Sequence, residues 1–186
     1  RYIAGIGFGA KNTDANIINK GVITVTSAAA LSRSGAVGIT GGGKNLIIDN
    51  RGTVSVTALE GNQAIGIEAF GAWSNGTVSI NNSGTITVSG KAAANTFGMV
   101  AGTSKLTTSA QVVNSGTVEL EGGTDLSEHR SAIYFDASNV SIPLIFENAL
   151  TGVVMADDFS YVVALDSDDS NTSAVHITNS GELRGI

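Results

Sequence analysis

Apolar residues in this chain fall into short alternating runs, and the runs recur about every 32 residues. The most regular run ends just before an asparagine. Ile17, Ile48, Ile80, Val112, Phe146 and Ile177 stand two residues ahead of it, and Ala15, Leu46, Val78, Ala110, Leu144 and Val175 stand four ahead. The positions between them are mixed: Asn16, Ile47, Ser79, Gln111, Ile145 and His176. A period of two means a strand with one buried face. A second run follows a glycine, with inward pairs Ile23/Val25, Val54/Val56, Ile86/Val88, Val118/Leu120 and Val154/Ala156, and Leu183 opens the last. Thr24, Ser55, Thr87, Glu119 and Glu182 are read as facing water from this strand. A third run offers Ala4/Ile6, Val37/Ile39, Ile65/Ile67, Phe97/Met99, Ile133/Phe135 and Val163/Leu165 as its inward pairs. Its glycines, Gly5, Gly38, Gly66 and Gly98, are read as an outward column that continues as Tyr134 and Ala164. Glycine inside a strand marks a bend, or a backbone or ligand approaching closely.

The first and second runs are joined by a corner phrase: Asn19-Lys20-Gly21, Asn50-Arg51-Gly52, Asn82-Ser83-Gly84, Asn114-Ser115-Gly116 and Asn179-Ser180-Gly181. A looser version spans Asn148 to Gly152. Here glycine is expected to take a conformation that a side chain forbids, and asparagine to tolerate left-handed geometry. Stacked asparagine amides also hydrogen-bond along the stacking axis. The corner column Asn19, Asn50, Asn82, Asn114, Asn148 and Asn179 is therefore read as structural.

One period cannot bury its apolar face alone, whereas stacked periods can. The pattern predicts an all-β fold: a right-handed parallel β-helix with three strands per coil and about six coils. The chain reads as one segment, 1–186, a fragment of something longer, with repeats near 15–45, 46–77, 78–109, 110–143, 144–174 and 175–186. Both ends are expected to present open coils. Pro143 stands at a strand entry, where proline is tolerated. The longer corner Asn148–Gly152 is expected to make its coil irregular.

Composition narrows the function. With 24 Gly, 1 Pro, no Cys and 5% aromatic residues, the chain does not resemble a compact globular enzyme. Absence of cysteine excludes a disulfide scaffold and a thiolate metal site, and suits an oxidising periplasm. The net charge is −6. Residues 1–93 carry seven Lys/Arg and four Asp/Glu, and the remainder three and twelve. An acidic chain without a basic patch argues against nucleic acid as a partner.

No catalytic constellation emerges, and neither enzyme activity nor a cofactor is expected. Glu119 and Glu121 share a strand face without a repeating basic partner and are read as solvated. Gly41-Gly42-Gly43-Lys44 lacks the strand-to-helix setting of a phosphate loop. His129 and His176 have no nucleophile at recognisable spacing. Asp166, Asp168 and Asp169 are the best calcium candidate, although the surrounding sequence lacks the glycine and terminal glutamate of an EF-hand. Thr24/Thr26 weakens to Ser55/Thr57 and Thr87/Ser89 and ends at Glu119/Glu121, so a flat ice-binding array is not maintained. Function is expected in the loops: Glu121–Ser131, with Asp125, Glu128, His129 and Arg130, and Glu68–Thr77, whose Phe70 and Trp73 form a candidate contact loop.

Units such as Ile80–Ser89, followed by the third-run segment Thr96-Phe97-Gly98-Met99, resemble the passenger domains of Gram-negative autotransporter adhesins, with the very large fusobacterial passengers the nearest in flavour. The resemblance covers essentially the whole chain. It implies secretion through a C-terminal outer-membrane barrel, which the parent chain should carry, and display on the cell surface. It also implies adhesion, as in virulence, to a protein or glycan on another cell. Two other readings stand beside it. One is a self-assembling filament or surface-layer protein that associates end to end. The other is a polysaccharide-active β-helix enzyme.

Overall fold

The computed structural model describes residues 2–9, 12–28, 35–59, 61–71, 76–90, 93–103, 107–123, 129–137, 142–158, 160–166 and 174–185. The described secondary structure is all strand. In chain order the first nine strands are β1 (Tyr2–Gly9), β2 (Ala15–Asn19), β3 (Val22–Ser27), β4 (Gly35–Gly43), β5 (Leu46–Asn50), β6 (Thr53–Ala58), β7 (Gly61–Gly71), β8 (Gly76–Asn82) and β9 (Thr85–Gly90). The next nine are β10 (Ala93–Gly102), β11 (Thr107–Asn114), β12 (Thr117–Glu121), β13 (His129–Asp136), β14 (Leu144–Asn148), β15 (Val153–Ala156), β16 (Tyr161–Asp166), β17 (Val175–Asn179) and β18 (Glu182–Gly185).

Every third strand pairs in parallel with the one before it, which gives three six-stranded sheets. Sheet A runs β1-β4-β7-β10-β13-β16, sheet B runs from β2 to β17, and sheet C from β3 to β18. The sheets enclose one apolar column, so the chain is a parallel β-solenoid. The register follows the sequence columns of the first two runs. Ile17 sits beside Ile48, Ile48 beside Ile80, Ile80 beside Val112 and Val112 beside Phe146. Ile48, Ile80, Val112 and Phe146 are fully buried. In the terminal coil the same columns are partly open to solvent, with Val175 41% and Ile177 53% exposed.

The asparagine corner does not interrupt the pairing between strands. Around it, Ser83 N–H donates to Asn50 O at 2.8 Å and Thr85 N–H to Gly52 O at 2.9 Å, and the same pair of bonds recurs at the Ser115 and Thr117 positions. Inside the corner each side-chain amide donates to the next. The Nδ2–Oδ1 distances are 2.8 Å for Asn19–Asn50, Asn50–Asn82 and Asn82–Asn114, and 2.9 Å for Asn114–Asn148 and Asn148–Asn179. The second donor capacity goes to main-chain carbonyls, such as Gly84 and Thr117 for Asn82. Asn50, Asn114 and Asn148 are fully buried, so the ladder gives these polar groups the partners that burial requires.

The corner geometry corrects the expected role of its glycines. Among the described residues only Asn12 and Gly122 have positive φ, so neither the corner asparagines nor the glycines are left-handed. Glycine is needed for space instead. A Cβ on Gly52 would lie 2.0 Å from Gly21 O, one on Gly84 2.0 Å from Gly52 O, and one on Gly116 2.0 Å from Gly84 O. Each corner stacks its backbone directly on the one below. The longer corner does not break this stack. Ala149 N–H donates to Asn114 O and Val153 N–H to Gly116 O, both at 2.8 Å, while Leu150 is pushed out to 81% exposure.

The third run departs further from expectation. Its glycines face inward: a Cβ on Gly38 would lie 2.3 Å from Val54 Cγ1, and one on Gly66 2.5 Å from Ile86 Cγ2. The column continues as Ala132, which aligns with Gly98 between two paired positions, and not as Tyr134. Ile133 therefore pairs with Met99 and Phe135 with Ala101, two residues away from the expected alignment. The strand bends at the glycine. Ile39, Ile67 and Met99 enter the main core, whereas Val37, Ile65 and Phe97 form a separate cluster with Val100. Sheet A thus has a second apolar stripe, packed against Tyr134.

Candidate functional site

Sheet A carries the features most suited to contact, and its strand register sets their positions. Gly42, Phe70, Gly102 and Asp136 are successive neighbours across it, as are Thr40, Glu68, Val100 and Tyr134. Phe70 lies on β7 and not in a loop as expected. It is 41% exposed, and its ring lies over β10, since a Cβ on Gly102 would meet Phe70 Cδ1 at 2.4 Å. A depression of ≈ 430 Å³ lies against Phe70, Phe8, Thr40, Gly42 and Thr103. Trp73, the other member of the expected contact loop, falls outside the described residues.

Two residues before Phe70, Glu68 Oε2 accepts a hydrogen bond from Thr40 Oγ1 at 3.0 Å. Burial raises the Glu68 carboxyl above its ordinary value of 4.5, and the Thr40 bond opposes that rise without cancelling it.

A larger depression, of ≈ 490 Å³, lies where β10, β13 and β16 adjoin, and Phe97, His129, Tyr134, Tyr161, Ala164 and Asp166 all line it. The Phe97 and Tyr134 rings stack with centroids 4.5 Å apart at 22°. Tyr134 donates its hydroxyl to Asp166 Oδ2 at 3.0 Å. Burial, the bond to Asp166 and the charges of Asp166 and Asp136 all hold the Tyr134 hydroxyl protonated, well above the usual phenol range. Tyr161 is 70% exposed.

Of the calcium candidates, Asp166 therefore ends β16 as Tyr134's acceptor, and Asp168 and Asp169 lie outside the described residues. No group of three or more potential metal ligands occurs among the described residues. Glu119 and Glu121 lie on β12 in the columns of Thr87 and Ser89, as expected, whereas Glu182 belongs one column earlier, beside Val153. His176 is exposed at the end of sheet B beside Ile145.

Arg130 was expected in a loop. It lies on β13, at 1% exposure. Its Nη1 donates to Gly90 O at 2.8 Å and Thr96 Oγ1 at 3.0 Å. Its Nη2 donates to Glu121 O at 2.9 Å and Asp157 Oδ2 at 2.8 Å, and its Nε to Ser160 Oγ at 3.1 Å. Burying a guanidinium is costly unless its donors find such a set of acceptors. These acceptors come from three successive levels of the stack, so Arg130 ties the turns leaving β9, β12 and β15 together. Burial alone would raise the Asp157 carboxyl, but bonds from Ser160, the Gly123 N–H and Arg130, with the Arg130 charge, hold it below its usual range. His129 starts the same strand and is exposed, while Asp125 and Glu128 lie outside the described residues.

The sequence signal for Arg130 is its register: it aligns with Thr96 on β10, inside a strand. Compared with protein-family models, with curated proteins and with solved structures, the chain matches none. Fold and site chemistry therefore carry the functional reading.

Proposed function

We propose that this chain is a right-handed β-helix of six coils, a segment of a surface-displayed bacterial adhesin passenger that acts as a stalk and contacts ligands on other cells. The observation that supports the reading most is the combination of an unbroken asparagine ladder, buried from Asn19 to Asn148, with an aromatic depression on the outer face of sheet A. The ladder makes a stiff rod whose exterior is free to vary, and exposed aromatic side chains beside hydrogen-bonding groups suit recognition. Right-handedness rests on the strong preference of parallel strand crossovers for that hand. Six coils follow from reading each three-strand set as one turn. The autotransporter route, with export through a C-terminal barrel, rests on the resemblance of the repeats alone.

The test uses purified, fluorescently labelled protein on epithelial cells and on partner bacteria. Saturable binding, competed by unlabelled protein, supports adhesion. Absence of binding, together with concentration-dependent particle growth in light scattering, would replace it with the filament reading. Cleavage of an acidic polysaccharide would replace it with the enzymatic one.

A further inference from the structure

We propose that the depression between β10, β13 and β16 binds an organic cation of the alkylammonium class. This rests on the contact role proposed above and assigns it a ligand chemistry. One face of the Tyr134 ring is held by Phe97 on the β10 side at 4.5 Å. On the β16 side its register partner is Ala164, too small to cover the ring. The hydroxyl is fixed by Asp166, so the ring is pre-oriented and loses little freedom on binding. Tyr161, 70% exposed, stands on the same strand as Ala164 and supplies a second ring. Aromatic faces carry a negative quadrupole that attracts a cation within about 6 Å.

Charge selects the ligand. Asp166 lines the depression, and Asp136 lies beside it in register. Arg130 also lines the depression, but its guanidinium is paired with Asp157 at 2.8 Å and its side chain is fully buried, so its charge is already matched within the fold. Residues 94–186 hold twelve Asp/Glu against three Lys/Arg, so the surrounding field also favours a cation. A neutral sugar would gain from the rings but not from this charge.

The test is a chemical-shift titration of the isotope-labelled chain with choline, with its neutral isostere 3,3-dimethyl-1-butanol, with N-acetyl-lysine amide and with methyl glucoside. Choline should shift Tyr134, Tyr161 and Ala164 resonances with a millimolar Kd, and the isostere should bind at least about tenfold more weakly. Asp166→Asn should weaken choline on the order of tenfold, and Tyr161→Ala, at an exposed site, several-fold. Folding of each variant is checked by the undisturbed amide resonances of the asparagine ladder. Binding of the lysine amide as well as choline points to a lysyl side chain of a partner protein; choline alone points to a free or glycan-borne quaternary amine. Equal binding of the isostere, preference for the glucoside, or no shift from either cation at 50-fold excess over about 1 mM overturns the proposal. Cell binding that survives Asp166→Asn and Tyr161→Ala would leave adhesion standing and remove this site from it.

Discussion

Replacing Asn82 by alanine tests the energetic role of the corner ladder. Asn82 is 1% exposed and sits mid-ladder, accepting from Asn50 and donating to Asn114, both at 2.8 Å. Alanine removes both ladder bonds, each contributing about 0.5–1.5 kcal/mol net. It also leaves Asn114 Oδ1 buried without the donor it loses, which adds about 1–3 kcal/mol. Asn50 Nδ2 keeps its bond to Gly52 O, so its loss is partial. The total is about 2–6 kcal/mol. With a urea slope of about 2 kcal/mol/M, the midpoint should fall by roughly 1–3 M. Asn179→Ala provides the control. Asn179 is exposed and accepts one ladder bond, from Asn148 at 2.9 Å, so its loss should cost no more than about 1 kcal/mol. Urea titration followed by far-ultraviolet circular dichroism gives both midpoints. If Asn82→Ala matched Asn179→Ala, the ladder would be an ornament of the corner and the reasoning would fail.

Three further outcomes follow from the same structure. Gly84→Ala should cost at least about 3 kcal/mol, because its Cβ would stand 2.0 Å from Gly52 O, whereas Gly21→Ala, whose nearest neighbour is Asn19 Oδ1 at 4.0 Å, should change the urea midpoint little. Arg130→Met should destabilise by about 3–5 kcal/mol by removing the cation that pairs with Asp157 and the donor that serves acceptors on three levels. Because Asp157 is depressed in the fold, the native chain gains stability from it above the ordinary carboxylate value and loses that gain as pH falls through the folded value. Thermal melts from pH 5 down to pH 2 should show that acid-side loss in the native chain and less of it in Arg130→Met. Glu68 has the opposite sign: its carboxyl is raised, so the native chain loses stability as pH climbs from 4.5 through the folded value and then levels off. Glu68→Gln, which retains an acceptor for Thr40, should remove that slope and raise the melting temperature at pH 7, and an unchanged slope would contradict the assignment.

Much of the fold was legible because the first two runs carry both a corner phrase and a strict alternation. Their expected columns are the observed register from Ala15 to Val175 and from Ile23 to Leu183. The third run slipped because its marker changes from glycine to alanine at 132, and the apolar pair Ile133/Phe135 imitates the pair Phe97/Met99. Counting back from the next corner asparagine resolves it, since Gly66, Gly98 and Ala132 each precede Asn82, Asn114 and Asn148 by 16 residues. The corner glycine was recognised but its reason was not, because sequence does not distinguish a left-handed residue from one crowded by a neighbouring carbonyl. Arg130 is hidden by its charge: a lone arginine among polar residues reads as loop, and its acceptors, two of them main-chain carbonyls, are spread over residues 90 to 160. The aromatic depression was invisible for a related reason. Phe97, Tyr134 and Tyr161 are more than 25 residues apart in sequence and are joined only by the register of β10, β13 and β16.

The stacking of every coil in parallel register is tested most directly by pulsed electron–electron distance measurements between spin labels. The chain has no cysteine, so label pairs can be placed without background. Thr24, Ser55, Thr87, Glu119, Met155 and Arg184 are successive neighbours across sheet C. Labels at Thr24 and Arg184 span five strand spacings and should lie roughly 24 Å apart, while Thr24 and Met155 should lie roughly 19 Å apart, each coil adding about 4.8 Å. A steady increment of that size is the result required by the solenoid. Equal distances for the two pairs, or a longer distance to Met155 than to Arg184, would contradict it.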